Sequence, residues 1–552
     1  MSRWSSRIRE SNPPPWLGKP MHYRCANPAI TNDTKIKVFV SFFIGKDMNK
    51  FLNLYNSKNE TMFSLGIDVG SSSVKVALLD IESGKCVSSS TNPKTEAPIK
   101  AAQKGWAEQD PESWWNYMCE GIREMAANYD MSKVVSVGIS YQMHGLVAVD
   151  KDINPVRDAI IWCDSRAVEI GAEALQGIGY WKCMDNLLNS PGNFTASKLA
   201  WVKRNEPETY SKIYKFMLPG DYVAYRLSGQ LSTTATGLSE GIMWNFKDNC
   251  RADFVTDYFG IEKDKFCDIV PALGGPIRTN AAVERLLGIP EGTPVSYRAG
   301  DQPNNAFSLN VLKPGEIAAT GGTSGVVYGV TDTPKADPES RVNTFLHVTD
   351  SPDPRMGVLL CINGTGIMNA WARRIVTPDL SYPEMNELAS TVPAGADGLV
   401  VLPFGNGAER VLANRNVGAR VVGIDLVRHT KAHIVRAVHE GIAFSFKYGI
   451  DIMKDLGLQP DVIRAGKANM FLNPVFRNTL STLCDSRIEL FDTDGALGAA
   501  RGAALGAGVY KTADEAFSTL TLLESVEPVA DWKAPLDDAY ARWKNEVEKS
   551  IN

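Results

Sequence analysis

The feature that most constrains this chain is a turn that occurs twice. An apolar run from Phe63 ends in Asp68-Val69-Gly70-Ser71-Ser72-Ser73 and resumes as Val74 to Asp80. Far downstream, Ile317-Ala318-Ala319-Thr320 runs into Gly321-Gly322-Thr323-Ser324-Gly325 and then Val326 to Val330. Both read as strand, turn rich in glycine and hydroxyls, strand. Such a turn aims successive backbone N–H groups and side-chain hydroxyls at one point, which is what phosphate oxygens require. One copy alone would equally suit a tight hairpin with no ligand. Two copies, one in each half, point to a nucleotide held between two related domains.

Around these turns the text alternates strand-like runs with helix-length segments, the pattern of an α/β protein. Strands are predicted at Phe63 to Asp68, Val74 to Asp80, Val134 to Ser140, Leu146 to Asp150, Ala159 to Cys163, Val358 to Ile362 and Leu399 to Pro403. Helices are predicted at Pro111 to Tyr129, opened by Asp110-Pro111, at Ala196 to Asn205, at Thr430 to Leu456, and near Ala496 to Gly508 and Asp537 to Ser550. A length of 552 residues implies at least two domains. The expected division is an extension over residues 1–61 outside the fold, a first domain over 62–308 and a second over 309–552.

Charge excludes several function classes. Fifty-eight Lys and Arg against 63 Asp and Glu leave a net charge of −5, with no broad basic field for a nucleic-acid backbone. Residues 1–61 differ, with ten basic residues against four acids, so the remainder carries −11. A targeting arm would explain that surplus, and so would an extension upstream of a fold that starts at Met62. No window approaches the roughly 18 apolar residues of a membrane span; the short run Val38 to Ile44 is bracketed by Lys37 and Lys46. Nine scattered cysteines without a C-x-x-C pair suit reduced thiols and a cytoplasmic protein. Each Gly-Lys pair is followed by Pro, Asp, Cys or Ala, and no G-x-G-x-x-G occurs. P-loop and dinucleotide-fold readings therefore lose their signatures, and any phosphate cradle must be the hairpin kind.

Gly66-Ile67-Asp68-Val69-Gly70-Ser71-Ser72-Ser73-Val74-Lys75 resembles the opening phosphate motif of the FGGY carbohydrate kinases, members of the actin-like, ribonuclease H-like ATPase superfamily. Further stretches agree in order: Gly105 to Pro111, Gln142-Met143-His144-Gly145, Trp162 to Arg166, Lys198 to Trp201, Pro219 to Tyr222, Ala299-Gly300-Asp301-Gln302, Thr320 to Gly325, and Arg436 to Gly441. The resemblance covers residues 62 to about 535 and none of the first sixty. It implies two ribonuclease H-like domains with the active site in the cleft between them, ATP and Mg²⁺ as cosubstrate and metal, and a homodimer. Gln-Met-His-Gly together with Trp-x-Asp-x-Arg is most similar to the xylulose kinase branch, so D-xylulose is the expected acceptor; gluconate, ribulose and other polyols are the alternatives.

The resemblance also assigns roles, each with a competing structural explanation. Asp301 is expected to accept the proton of the sugar hydroxyl, where an Asp capping a helix that begins near Pro303 would look alike. Asp68 is expected to hold Mg²⁺ between the donor phosphates, and is also a typical turn Asp. Ser71, Ser72 and Lys75 are expected to reach phosphate, although Lys75 equally suits a solvated strand position. Met143, His144, Asp301 and Gln302 form the expected sugar site, with Trp106 as its wall or as a packed aromatic. Asp164 and Arg166 are expected to form a supporting ion pair. Thr320, Gly321, Gly322, Thr323 and Ser324 should grip the β- and γ-phosphates. Gly466, Lys467 and Asn469 should border the adenosine, where Ala465 and Lys467 interrupt the glycine run usual in this family. The series Gly495, Gly498, Gly502, Gly506 reads as close helix packing. Functions of another class are an actin-like ATPase switch and a non-catalytic sugar sensor. The first gives no reason to combine Met143-His144 with Gly300-Asp301-Gln302, and the second none to retain both Asp68 and Asp301.

Overall fold

The computed structural model describes residues 61–349 and 354–551. The extension expected over residues 1–61 lies outside the described residues apart from Thr61, as does Cys25. β1 (Phe63–Val69) and β2 (Val74–Asp80) pair antiparallel around the first turn, and β3 (Cys86–Asn92) lies beside β2. The chain crosses through α1 (Pro111–Ala126), opened as expected by the Asp110 side chain accepting from the Glu112 amide, with Pro111 at the first helical position. β4 (Val134–Tyr141) then returns parallel to β1. A long excursion containing α2 (Thr195–Asn205) and α3 (Ala235–Glu240) precedes β5 (Val295–Gly300), which runs parallel to β4. The sheet order is β5-β4-β1-β2-β3. Helix α4 (Asp301–Ser308) leaves β5 directly and leads into the second half.

The second half repeats the plan. β6 (Glu316–Gly321) and β7 (Gly325–Thr331) form the second hairpin, followed by β8 (Asn343–Leu346) and β9 (Met356–Ile362). Helices α5 (Gly366–Val376), α6 (Tyr382–Ser390) and α7 (Lys431–Asp455) lead to β10 (Val462–Gly466), α8 (Pro474–Cys484) and β11 (Arg487–Phe491). Helix α9 (Gly495–Gly506), strand β12 (Leu522–Val526) and helix α10 (Lys533–Ile551) close the chain. The order is β8-β9-β7-β6-β10-β11-β12. Its inner run β11-β10-β6-β7-β9 has the same succession of parallel and antiparallel pairs as β5-β4-β1-β2-β3. The echo between the two turns is therefore an echo between two whole sheets.

Helices cover the central strands on both faces, which is why these strands read as continuous apolar runs. Leu65, Ile67, Val137 and Ile139 are fully buried. Helix α9 lies in sequence between β11 and β12 of the second sheet yet packs its glycine face on the first, against β1, β4 and β5. A Cβ at Gly502 would stand 2.4 Å from the Tyr297 ring, so the packing the series implies is present.

Several predicted segments are shorter than expected: the strand over Leu399 to Pro403 is Val400–Leu402, and the helix predicted to Tyr129 ends at Ala126. The strand expected over Ala159 to Cys163 spans only Ala159–Ile160, because the chain turns where the Asp164 amide bonds the Ile161 carbonyl. The one expected over Leu146 to Asp150 is Val147–Val149, since Asp150 takes up the Asn154 amide in a turn. Among the described residues no helix is long and apolar enough to cross a membrane, and all eight cysteines are free.

Candidate functional site

The two singled-out carboxyls are carried to one edge by neighbouring strands. Val69 and Gly300 both register with Tyr141 of β4, so Asp68, one residue before Val69, and Asp301, one after Gly300, stand at the carboxyl ends of the parallel strands. Helix α4 begins at Asp301 itself with Gly300 as its N-cap, not near Pro303, so Asp301 belongs to the first turn and is not a cap ahead of the helix. Burial pushes its carboxyl up to about 7, the negative charge of Asp68 adds to this, and the amide groups of half-buried Gln302 offset part of it. Burial also raises Asp68, partly countered by the Ser140 hydroxyl beside it. A carboxyl poised near neutrality is suited to accepting a proton from an alcohol.

Gln142, Met143 and His144 follow β4 directly. His144 has φ 42°, a left-handed conformation that costs a non-glycine residue on the order of 1–3 kcal/mol unless its surroundings hold it. Its N–H donates to Glu240 Oε2 at 3.2 Å, and its carbonyl accepts from Lys198 Nζ at 3.1 Å. The ring meets Phe194 edge-on at 5.0 Å, and Nδ1 is buried with no protein partner. Burial, then the charges of Lys198 and Arg410, hold this imidazole well below the usual histidine range, so it is neutral. Met143 is 4% exposed and packs against the turn that carries Asp301: a Cβ at Gly300 would lie 2.6 Å from Met143 Cγ. Trp106 carries the Arg166 guanidinium 3.8 Å from its ring centre and meets Trp201 edge-on at 5.3 Å. One face of Trp106 is therefore taken by packing. The Asp164–Arg166 pair forms as expected, at 2.7 Å, and Arg166 also reaches Glu108. Glu240 and Arg410 entered no part of the sequence argument, and Lys198 entered only as part of a motif.

On the phosphate side, Ser71 Oγ accepts from Trp162 Nε1 at 3.3 Å, Ser72 is exposed, and Lys75 is ion-paired with Asp494 at 2.6 Å. Asp494 is the N-cap of α9, so this pair ties the first hairpin to that helix. In the second half a cavity of about 1050 Å³ is lined by Gly321, Gly322 and Thr323, by Asn469, Met470 and Asn473, and by Ile367, Tyr382 and Asn386. Thr320, Ser324, Gly466 and Lys467 are not among its walls. Lys467 pairs instead with Glu524 at 3.0 Å, and Ala465, which interrupts the glycine run, lies inside β10. The volume suits a nucleoside, and α5 and α6 supply walls that no glycine pattern announced.

Among the described residues no group of three or more His, Cys, Asp or Glu could hold a metal on its own. One half-buried carboxylate beside a phosphate-binding turn nevertheless suits Mg²⁺, which takes one or two protein carboxylates and fills its other positions with phosphate and water. Asp68 offers that carboxylate, and the lack of a side chain at Gly495 makes its room: a Cβ there would stand 2.3 Å from Asp68 Oδ2.

Comparison with known proteins gives the family and the fold. Residues 63–308 match the N-terminal domain of the FGGY family of carbohydrate kinases, and residues 317–510 its C-terminal domain. A xylulose kinase of Escherichia coli is 30% identical over 478 residues, 84% of this chain and 94% of that one. One of Bacillus subtilis is 28% identical over 471 residues, 82% and 90% of the two chains. The fold is that of the xylulose kinase from Rhodospirillum rubrum (TM-score 0.80, 22% identity, 88% and 98% of the chains). It is shared too by the Plasmodium falciparum glycerol kinase with ADP (TM-score 0.79, 19% identity, 89% and 99%).

Proposed function

The chain belongs to the FGGY family of carbohydrate kinases, and we propose that it transfers the γ-phosphoryl group of Mg·ATP to the O5 hydroxyl of D-xylulose, with Asp301 as general base. The reading rests on Asp301, a carboxyl held up to about 7 at the end of β5, beside Asp68 and behind Met143 and His144. The xylulose kinase relatives support the acceptor.

The sugar enters against His144 and Gln302, and the adenosine occupies the cavity in the second half. The Gly70–Ser73 turn and the Gly321–Thr323 turn approach the phosphates from the two halves. Asp301 orients the primary hydroxyl and takes its proton as the oxygen attacks the γ-phosphorus in line, releasing ADP and leaving the sugar 5-phosphate. Asp68 would hold Mg²⁺, which when bound supplies charge neutralisation at the transferring phosphoryl group. Closing the halves over the substrates excludes water, so that transfer to sugar outruns hydrolysis.

The test is ADP release from Mg·ATP with D-xylulose, D-ribulose, gluconate, glycerol, L-fuculose and no sugar. Strong preference for D-xylulose is expected. Preference for another sugar would retain the chemistry and replace the acceptor, and sugar-independent hydrolysis would favour a nucleotide switch.

A further inference from the structure

Two buried ionisable side chains that the phosphoryl-transfer chemistry does not use converge on the backbone of one residue. Glu240, the last residue of α3, is 2% exposed, and Lys198, in α2, is fully buried. Side chains of this type are seldom buried to this degree unless something specific binds them. What binds them here is His144. Glu240 Oε2 accepts its N–H at 3.2 Å while Glu240 Oε1 accepts the Tyr141 hydroxyl; Lys198 Nζ donates to the His144 carbonyl at 3.1 Å and to the Ile161 carbonyl at 3.0 Å. The two peptide groups that flank His144 are thus each held, at a residue whose φ of 42° needs holding. Glu240 also reaches the base: a Cβ at Gly300 would lie 3.0 Å from Glu240 Oε2, so the carboxyl packs against the residue that precedes Asp301. One side chain therefore touches both the loop that carries the sugar-facing histidine and the turn that carries the base.

We propose that Glu240 and Lys198 are positioning residues that clamp the backbone on either side of His144 and thereby fix the distance between the acceptor sugar and Asp301. The proposal rests on the reading of His144 as part of the acceptor site. Glu240 acts through His144 and through the backbone beside Asp301, not on the phosphates, so its loss falls on sugar recognition and leaves nucleotide recognition alone.

The experiment measures KM for D-xylulose, KM for ATP and kcat in the full chain and in Glu240→Ala, Glu240→Gln, Lys198→Met, His144→Ala and the double variant Glu240→Ala/His144→Ala. Glu240→Ala and Lys198→Met are expected to raise the sugar KM by about tenfold or more with the ATP KM within about twofold of the parent. Glu240→Gln, which keeps a carbonyl oxygen for the His144 N–H and offers an N–H to the Tyr141 oxygen, recovers most of the loss. In the His144→Ala background Glu240→Ala should cost clearly less than in the parent, since the imidazole it positions is gone while its contact with Gly300 remains. Should Glu240→Ala not fold, Glu240→Asp, one methylene too short for both bonds, carries the same expectation. Equal rises in both KM values, an unchanged sugar KM, or additive losses in the double variant would overturn the proposal. A parent chain with no sugar-dependent ADP release would instead overturn the functional reading beneath it.

Discussion

Asp68 and Asp301 flank the same residue of the central strand: their neighbours Val69 and Gly300 both pair with Tyr141, and the Asp68 charge adds to burial in holding the Asp301 carboxyl up to about 7. The edge that carries both carboxyls is therefore fixed by strand register, and the proposed base is tuned by burial and by the residue proposed for the metal.

A base that titrates near neutrality leaves its mark on rate. The acid limb of kcat/KM for the sugar is expected to bend at about 7, where Asp301 gains its proton. Asp301→Asn should abolish turnover while sugar binding, followed by calorimetry, is largely kept. Normal turnover in that variant would remove Asp301 from the role of base.

The same shift has a stability consequence. Folded Asp301 keeps its proton up to about 7, whereas the unfolded side chain releases it near about 4. Between these values the folded state binds more protons, so this group makes stability fall as pH rises from about 4 to about 7. Asp301→Asn is accordingly expected to melt above the parent at pH 8, with the gap closing toward pH 4. A gap that widened in acid would contradict the assignment.

Gly495 tests the phosphate side. Its missing side chain gives the Asp68 carboxylate its place, a Cβ there lying 2.3 Å from Oδ2. Gly495→Ala is predicted to displace that carboxylate and lower kcat/KM for Mg·ATP by about 10²-fold, as small misplacements at reacting centres do. The sugar KM should hold steady, and steady-state kinetics with each substrate varied would show it.

Within the signature Arg436 to Gly441 two residues form a buried ion pair. Arg436 and Glu440 pair at 2.6 Å inside α7, both side chains nearly inaccessible, with Glu440 also accepting from the Gly395 amide at 3.0 Å. Removing one partner leaves the other charge buried alone, at a cost of about 3–5 kcal/mol. Glu440→Ala should show that loss in chemical denaturation while kcat at low temperature stays near the parent value.

Much of the fold was legible because its signals are local. β2 occupies the predicted Val74–Asp80, and α7 falls within one residue of the predicted Thr430 to Leu456, since apolar periodicity and the turn glycines act over a few residues. The echo between the two turns was visible in the same way, whereas Asp68, His144 and Asp301 were singled out by the family resemblance. What escaped was whatever depends on chains folding back from afar. Glu240, Lys198 and Arg410 are charged residues that sequence alone assigns to solvent, and only packing across the first domain and between the halves brings them to His144. Ile367, Tyr382 and Asn386 wall the cavity from helices whose composition says nothing of a ligand. Of the residues expected to border the adenosine, Asn469 lines the cavity, while Gly466 does not and Lys467 is committed to Glu524.

The most direct test of the account is to follow D-xylulose and Mg·ATP with the full chain by ³¹P and ¹³C nuclear magnetic resonance. The account predicts a single sugar phosphate esterified at O5, formed one for one with ADP. Inorganic phosphate in place of a sugar ester, or esterification at another carbon, would contradict it.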